Sequence, residues 1–288
     1  MARKDLRYPQ NVDGVFYVDR KCIDCERCRR IAPEHFGWDE AGHSWVFSQP
    51  ETPEAIAACE RAKETCPVGA IGADGHLEGP PPIRQLLPGL FALGHPSPLT
   101  DDADAYLIVR PDGNVLVDLP AFHQDLLPQL QALGDLRYIF VTHEDTLGEV
   151  EDFQLHFGAE VIMHESEADQ VQLAVAHAFT GTHAFADDLQ VIHTPGHTRG
   201  SSCLLWRRHG GCLFVGDHLL PQGDALVPER FDWTYDWDLQ QAQARALLAE
   251  PWNHAFPAHG AGELPRGFLP KAKARLEAAL SSGVRTGA

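Results

Sequence analysis

Four cysteines near the N-terminus constrain the fold of the first part of the chain more than any other feature of the sequence. Three of them, Cys22, Cys25 and Cys28, follow one another at intervals of three residues. A loop with this spacing can wrap one inorganic iron–sulfur cube and donate backbone N–H groups to its sulfur atoms. The fourth, Cys66, precedes Pro67, which fixes the direction in which the chain leaves the ligand. These four thiols therefore predict a single [4Fe–4S] cluster.

A helix completes this first unit. Thr52-Pro53 is a favourable helix start, an N-cap with proline at the first helical position, and the helix is predicted to run toward Cys66. Cys59 lies two turns earlier on the same face, and we interpret it as a small buried apolar residue. No second Cys-x2-Cys-x2-Cys motif occurs in the sequence. The pattern over residues 12–74 resembles bacterial-type ferredoxins with one [4Fe–4S] cluster, and a structural zinc site is the alternative.

A proline-rich stretch divides the chain. Residues 78–83 read EGPPPI, and three consecutive prolines continue neither a helix nor a central strand. We therefore predict a cluster domain over residues 1–77, a linker over 78–83 and a second domain over 84–288. In the second domain, apolar strand-like runs alternate with helical ones, which predicts a layered α/β domain with helices outside the sheet. One of the predicted helices covers residues 165–179.

Four fragments of the second domain each place an ionisable residue just after a predicted strand and beside a glycine. The fragments are 141–148 (VTHEDTLG), 193–201 (HTPGHTRGS), 214–218 (FVGDH) and 257–260 (PAHG). Loops at one edge of a sheet gather residues that are distant in sequence, and glycine lets the backbone turn sharply. The four fragments together predict a metal site at that edge.

These fragments resemble, in order and spacing, the motifs of the metallo-β-lactamase superfamily, and the resemblance covers roughly residues 84–288. It implies an αββα metallo-β-lactamase-fold sandwich that follows an α+β ferredoxin-like domain. Five residues map onto the metal-ligand positions of the family, namely His143, Asp145, His197, Asp217 and His259. The first motif departs from the family pattern H-x-H-x-D-H. Asp145 stands at its second histidine, and Leu147 and Gly148 stand at its last two positions.

This departure changes the metal site that we expect. Read without a gap, the motif gives a first ion three ligands, His143, Asp145 and His197. Asp217 would be the fourth, and the second position would keep only Asp217 and His259. With a two-residue deletion, Asp145 would instead replace the aspartate of the second position, so in both readings it is the carboxylate at the metal. One ion is favoured over two; the ligand set suits iron or zinc, and the cluster on the same chain favours iron.

Metal-dependent hydrolysis is the favoured function, because hydrolysis dominates the resembled superfamily. A bound ion lowers the pKa of its water, and the hydroxide attacks a carbonyl, a thioester or a phosphoester. Asp217 or Asp145 would hold that water and take its proton, and His218 or His193 would stabilise the oxyanion. Two alternatives stay open: a non-haem iron oxidoreductase fed with electrons by the cluster, and a degenerate domain without turnover. A short distance between cluster and metal would favour the oxidoreductase.

The charge balance restricts the partners. The 288 residues include 41 acidic and 23 basic side chains, for a net charge of −18, which argues against nucleic acid or an anionic membrane as partner. The segment 20–30 is rich in arginine and lysine; either it docks an acidic redox partner or it is a solvated charged face. No apolar run approaches the roughly 18–20 residues of a membrane span, and the N-terminus lacks the apolar core of a secretory signal. We therefore expect a cytoplasmic enzyme with a small-molecule substrate.

Overall fold

The computed structural model describes residues 2–38, 42–74, 83–123, 126–172, 174–261, 264 and 267–282. Residues 78–82 of the predicted linker lie outside these ranges. The α-helices are α1 (Arg27–Ile31), α2 (Pro53–Glu64), α3 (Leu127–Ala132), α4 (Val150–Phe157), α5 (Trp237–Ala246) and α6 (Ala272–Ser282). None of the helices in the described part of the chain is long and apolar enough to cross a membrane.

The strands are short. In chain order they are β1 (Phe16–Val18), β2 (Phe36–Trp38), β3 (Ser44–Val46), β4 (Ile71–Ala73), β5 (Ile83–Leu87), β6 (Leu90–Leu93), β7 (Ala105–Ile108), β8 (Val115–Val117), β9 (Tyr138–Phe140), β10 (Glu160–His164), β11 (His177–Phe179), β12 (His183–Ala186), β13 (Leu189–His193), β14 (Ser202–Trp206), β15 (Cys212–Gly216), β16 (Leu220–Gln222), β17 (Ala225–Val227) and β18 (His254–Pro257).

The first unit packs α2 with two small antiparallel sheets, in which β1 pairs with β4 and β2 pairs with β3. The α2 N-terminus is capped as its sequence predicts, since the Thr52 hydroxyl accepts a hydrogen bond from the backbone N–H of Ala55 at 3.2 Å. Phe16, Val46 and Cys59 are fully buried in the core of this unit. The burial of Cys59 agrees with its interpretation as a small apolar residue.

Two sheets packed face to face form the second unit. The first has the order β11-β10-β9-β8-β7-β6-β5, antiparallel from β5 to β8 and parallel from β8 to β11; the second has the order β12-β13-β14-β15-β18. Side chains alternate between the two faces of β7: Tyr106 belongs to the core between the sheets, whereas Leu107 belongs to the core under α3 and α4. A third core lies between the second sheet and α5 and α6. This order of layers confirms the predicted αββα sandwich.

The predicted helix over residues 165–179 is wrong. Glu165–Gln170 forms a 3-10 helix, and β11 adds a parallel edge strand next to β10. Pairing with β10 and the inward turn of Glu167, which is 2 % exposed, outweigh the helical propensity of this segment.

Arg110 joins the two sheets. Its guanidinium donates to the carboxylate of Asp188 at 2.6 and 3.1 Å, and the indole N–H of Trp206 donates to the same carboxylate at 3.0 Å. The Arg110 side chain is only 3 % exposed. The bond therefore connects the turn after β7 to the turn before β13 across the sandwich.

Replacing Arg110 with alanine is expected to lower the free energy of unfolding by about 2–3 kcal/mol, because Asp188 loses a charged partner. Burial raises the pKa of Asp188, but the bonds from Arg110 and Trp206 outweigh it and hold the pKa below its ordinary value. The stabilisation is therefore present above the ordinary pKa and is lost as the pH falls through the lowered one. Urea unfolding at several pH values measures the effect. Arg207→Ala, which removes an exposed bond to Gln190, is the control, and equal effects of the two variants would contradict the prediction.

Candidate metal centres

The residues predicted to hold metal in the second unit lie on loops at one edge of the two sheets. The loops follow β9, β13, β15 and β18 and carry, in that order, His143 with Asp145, His197, Asp217 and His259. Gly216, directly before Asp217, has a φ of +53°, and a Cβ there would lie 2.6 Å from the Thr142 hydroxyl. Glycine is therefore required where the β15 loop passes the β9 loop.

His143, His197 and Asp217 form one group of side chains, and Asp145 borders both histidines. The Nε2 atom of His143 lies 3.7 Å from Oδ2 of Asp145 and 3.6 Å from Oδ2 of Asp217. The Nε2 atom of His197 lies 3.5 and 3.9 Å from the same two oxygens. Both histidines are buried, and neither Nε2 atom has a hydrogen-bond partner among the described residues. Unpartnered buried nitrogens that face two carboxylates fit one divalent ion.

Asp145 stands at the solvent side of this group. Its side chain is 51 % exposed, whereas that of Asp217 is 9 % exposed. The His197 ring beside Asp145 holds the pKa of that carboxyl below its ordinary value, despite partial burial. The carboxylate is therefore ionised and available as a ligand. The arrangement is compatible with the ungapped reading of the first motif, and the ligand roles stay predictions.

Asp145→Ala is expected to lower the metal occupancy of the second unit at least about tenfold, because it removes one of two anionic ligands. The visible absorbance of the cluster should not change. Metal analysis and an absorption spectrum of the same sample check both points. The matched control is Glu144→Ala, which removes the adjacent exposed carboxylate. Unchanged occupancy in Asp145→Ala would show that Asp145 is not a ligand, against both readings of the motif.

A buried carboxylate that sequence reasoning missed holds His143 in place. The Thr142 hydroxyl lies 2.9 Å from Nδ1 of His143 and donates to Asp118 at 2.9 Å, and Thr146 donates to Asp118 at 2.7 Å. Because the Thr142 hydroxyl donates to Asp118, it accepts the Nδ1 proton of His143, which leaves the lone pair of Nε2 for a metal. The available signal was the position of Asp118, directly after buried β8 at the same sheet edge.

A second missed carboxylate, Glu167, ties two of the metal loops together. One of its oxygens accepts a hydrogen bond from the backbone N–H of Gly200 at 2.6 Å, and the other accepts one from that of Glu144 at 2.9 Å. A Cβ at Gly200 would lie 2.6 Å from the Glu167 carboxylate carbon, so any larger residue there would displace this carboxylate. No local sequence pattern marks Glu167, because its partners come from distant loops.

His259 reaches the site through Asp217. Its Nδ1 atom lies 2.7 Å from Oδ1 of Asp217, and its Nε2 atom lies 3.0 Å from the carbonyl oxygen of Asp101. Burial lowers the pKa of His259, but the Asp217 carboxylate outweighs it and raises the pKa to about 9. In this geometry His259 orients Asp217 with a proton on each ring nitrogen. Its role as a direct ligand stays a prediction.

The remaining predicted histidines differ in their surroundings. His218 is buried, both of its ring nitrogens lack a partner among the described residues, and burial together with His197 lowers its pKa to about 3. It is therefore neutral near pH 7. His193 stacks on His164 at 3.9 Å and bonds the carbonyl oxygen of Arg199 at 3.1 Å. His193 thus braces the loop that carries His197.

The four predicted cluster ligands line one pocket of the first unit: Cys22, Cys25, Cys28 and Cys66. Backbone N–H groups of Ser44 and Ala70 donate to the sulfurs of Cys22 and Cys66 at 3.4 and 3.3 Å. Burial raises the pKa of the Cys28 thiol to about 11. Such a thiol loses its proton when it binds a metal, and backbone donors to sulfur are a feature of iron–sulfur sites. The pocket therefore fits a cluster.

Two family models match the chain in the regions just described. Residues 100–259, more than half of the chain, match the model of the "Metallo-beta-lactamase superfamily". The chain belongs to this superfamily. Residues 18–73 match the model "4Fe-4S single cluster domain of Ferredoxin I". Both predicted resemblances are thereby confirmed. A search of the curated proteins found no match.

Solved structures share the fold of the metallo-β-lactamase domain. A Cronobacter sakazakii metallo-β-lactamase with a HARLDQ motif has a TM-score of 0.54 at 18 % identity, over 70 % of this chain and 92 % of that one. The B3 metallo-β-lactamase BLEG-1 has a TM-score of 0.50 at 20 % identity, over 59 % and 91 %. A superfamily protein from Sulfolobus tokodaii has a TM-score of 0.50 at 17 % identity, over 67 % and 85 %. At these identities the likeness shows the fold alone.

The ferredoxin unit contacts the metallo-β-lactamase domain beside its metal site. The guanidinium of Arg27 donates to the carbonyl oxygen of Asp102 at 2.5 Å and lies 3.9 Å from the carboxylates of Asp102 and Asp104. Its side chain is 13 % exposed. An open cleft of about 410 Å³ lies at this contact, and both the cluster ligand Cys25 and His259 line it. The cleft is therefore bordered by one cluster ligand and by the histidine that hydrogen-bonds Asp217.

Proposed function

We propose that the chain is an oxidoreductase in which the [4Fe–4S] cluster exchanges single electrons with one iron ion in the metallo-β-lactamase domain. The ion would be held by His143, Asp145, His197 and Asp217. The cleft that Cys25 and His259 share carries this proposal, because His259 hydrogen-bonds the proposed iron ligand Asp217 and electron transfer requires that the two centres lie close together. Hydrolysis has no evident use for a reducible cluster at this position.

The iron would supply one-electron chemistry toward a small oxidant or substrate. The side chains around it have separate tasks. Asp118, through the Thr142 hydroxyl, keeps the Nδ1 proton of His143 in place and aims Nε2 inward. His259 holds one proton against Oδ1 of Asp217 and leaves Oδ2 facing the two histidines. Arg27 fixes the ferredoxin unit on the Asp102 loop.

Electrons must come from a donor outside the chain. Arg20 and Lys21 are exposed next to the cluster ligand Cys22. Within the segment 20–30, we keep Arg20 and Lys21 as the proposed docking surface for an acidic redox protein, because their positive charges complement such a partner. The substrate would be a small molecule, and the cytoplasm is the proposed location.

Arg27→Gln is expected to slow electron transfer from cluster to iron about tenfold, because it removes a charge-assisted bond between the units. The iron-loaded protein is reduced by one electron per chain with a light pulse and frozen at intervals for EPR. In the wild type, the signal of the reduced cluster should decay together with the ferric signal of the second site. The matched control is Arg20→Gln, which also removes one positive charge. Among the described residues, the Arg20 side chain makes no contact with the second domain. Persistence of both signals in the wild type would contradict the proposal.

Metal-dependent hydrolysis is the second candidate, and the exposed carboxylate of Asp145 favours it. This side chain borders both His143 and His197 and reaches solvent, so it is placed to take a proton from an attacking water. Asp217 is less suited as a base, since His259 occupies its Oδ1 atom. Hydrolysis of a carbonyl ester, thioester or phosphoester by the zinc-loaded protein, unchanged in a variant without the cluster, would favour this candidate over the oxidoreductase.

A further inference from the structure

A row of aromatic side chains extends from the metal site to exposed positions. The ring of Phe231 meets that of His197 edge to face at 5.7 Å, and Trp233 stacks on Phe231 at 5.1 Å with an interplanar angle of 12°. Trp233 is 67 % exposed and the neighbouring Tyr235 is 52 % exposed. Trp233 is connected to the candidate ligand His197 through Phe231. The two exposed rings leave large apolar surfaces in water.

The segment that carries these rings is fixed to the metal loop. The backbone N–H of Tyr235 donates to the carbonyl oxygen of His197, and that of Asp236 donates to Gly196, both at 2.9 Å. Phe231 and Thr234 close a turn, in which the Phe231 N–H donates to the Thr234 hydroxyl at 2.8 Å. The rings therefore keep a set position relative to His197, as a rigid binding surface requires.

A cation lies beside Tyr235, the next aromatic residue of the same segment. The guanidinium of Arg199 lies over the ring of Tyr235 at 5.3 Å. The Arg199 side chain is exposed and has no hydrogen-bond or ion-pair partner among the residues that the structure describes. A guanidinium near an aromatic ring keeps N–H groups that can bind a carboxylate with two parallel hydrogen bonds.

We propose that this aromatic surface binds a planar aromatic carboxylate, whose ring stacks on Trp233 and whose carboxylate pairs with Arg199. The inference rests on the metal site of the proposed function, and it names the substrate class of that site.

The test uses three small probes on the purified holoprotein, with binding measured by calorimetry. 2-Naphthoate has both the ring and the charge, 2-naphthalenemethanol has only the ring, and cyclohexanecarboxylate has only the charge. Trp233→Ala is expected to weaken 2-naphthoate binding about tenfold, since stacking on one ring is lost, whereas Trp233→Phe should stay within about threefold. Arg199→Gln should weaken 2-naphthoate and leave 2-naphthalenemethanol unchanged.

Several outcomes would overturn the proposal. They are the absence of 2-naphthoate binding to the wild type at millimolar concentration, equal binding by Trp233→Ala, and binding of cyclohexanecarboxylate as tight as that of 2-naphthoate. A wild-type dimer in light scattering that becomes a monomer in Trp233→Ala would assign the surface to a second copy of the chain instead. The readout is binding, so a negative result would not contradict electron transfer between cluster and iron. Likewise, a failure of electron transfer would not contradict binding of the aromatic carboxylate.

Discussion

Replacing His197 with alanine is expected to empty the metal site of the metallo-β-lactamase domain, with occupancy below about one tenth of that of the wild type. Neither ring nitrogen of His197 has a hydrogen-bond partner among the described residues, although the ring is buried. A metal would give Nε2 its partner. Since the substitution breaks no hydrogen bond, we expect a folded protein with an intact cluster. Metal analysis after anaerobic purification, with sulfide content and thermal unfolding on the same sample, measures these effects.

His193→Ala is the matched control for this variant. His193 belongs to the same loop, but its ring stacks on His164 and bonds the Arg199 carbonyl rather than facing the carboxylates. It should retain metal, with a modest loss of stability from the missing stacking. Full metal content in His197→Ala, or an equal loss of metal in both variants, would contradict the site described here.

Replacing Cys66 with alanine is expected to remove the cluster, with the loss of about four iron and four sulfide per chain. Cys66 lines the cluster pocket and accepts the N–H of Ala70 through its sulfur. The metal of the second domain should remain, because its ligands belong to other loops. Electron-driven turnover should be lost, whereas any hydrolytic activity should persist. Absorption spectra, sulfide content and both kinds of assay separate these outcomes.

Cys59→Ala provides the control for Cys66→Ala. Cys59 is a fully buried thiol in α2, and it packs in the core of the first unit rather than lining the cluster pocket. Its replacement removes a small apolar group and should leave the cluster intact. Retention of the cluster in Cys66→Ala, or its loss in Cys59→Ala, would show that the ligand set is wrong.

The spacing of ligand residues made much of this structure predictable. The pattern Cys22, Cys25 and Cys28 with Cys66 led to the single-cluster ferredoxin unit, because ligand spacing along the chain is set by the cluster itself. In the second domain, ionisable residues after buried strands led to the sheet edge where they meet. Such signals are local patterns along the chain, so they can be recognised in a single sequence.

The supporting carboxylates were not predictable in the same way. Glu167 lies in a segment with helical character, and its partners at Gly200 and Glu144 come together only in the folded chain. The contact between the units is a second case. Arg27 bonds the carbonyl oxygen of Asp102, where the backbone adopts a φ of +64°. A left-handed aspartate in a short loop has no clear sequence signature, because aspartate is enriched at positive φ but adopts other conformations far more often.

Iron, zinc and acid-labile sulfide content of anaerobically purified protein tests the central claim most directly. Electron exchange between the cluster and one iron ion predicts about five iron and four sulfide per chain, with little zinc. About four iron and four sulfide with one zinc would contradict the claim, because zinc accepts no electron from the cluster, and would leave metal-dependent hydrolysis as the function to test.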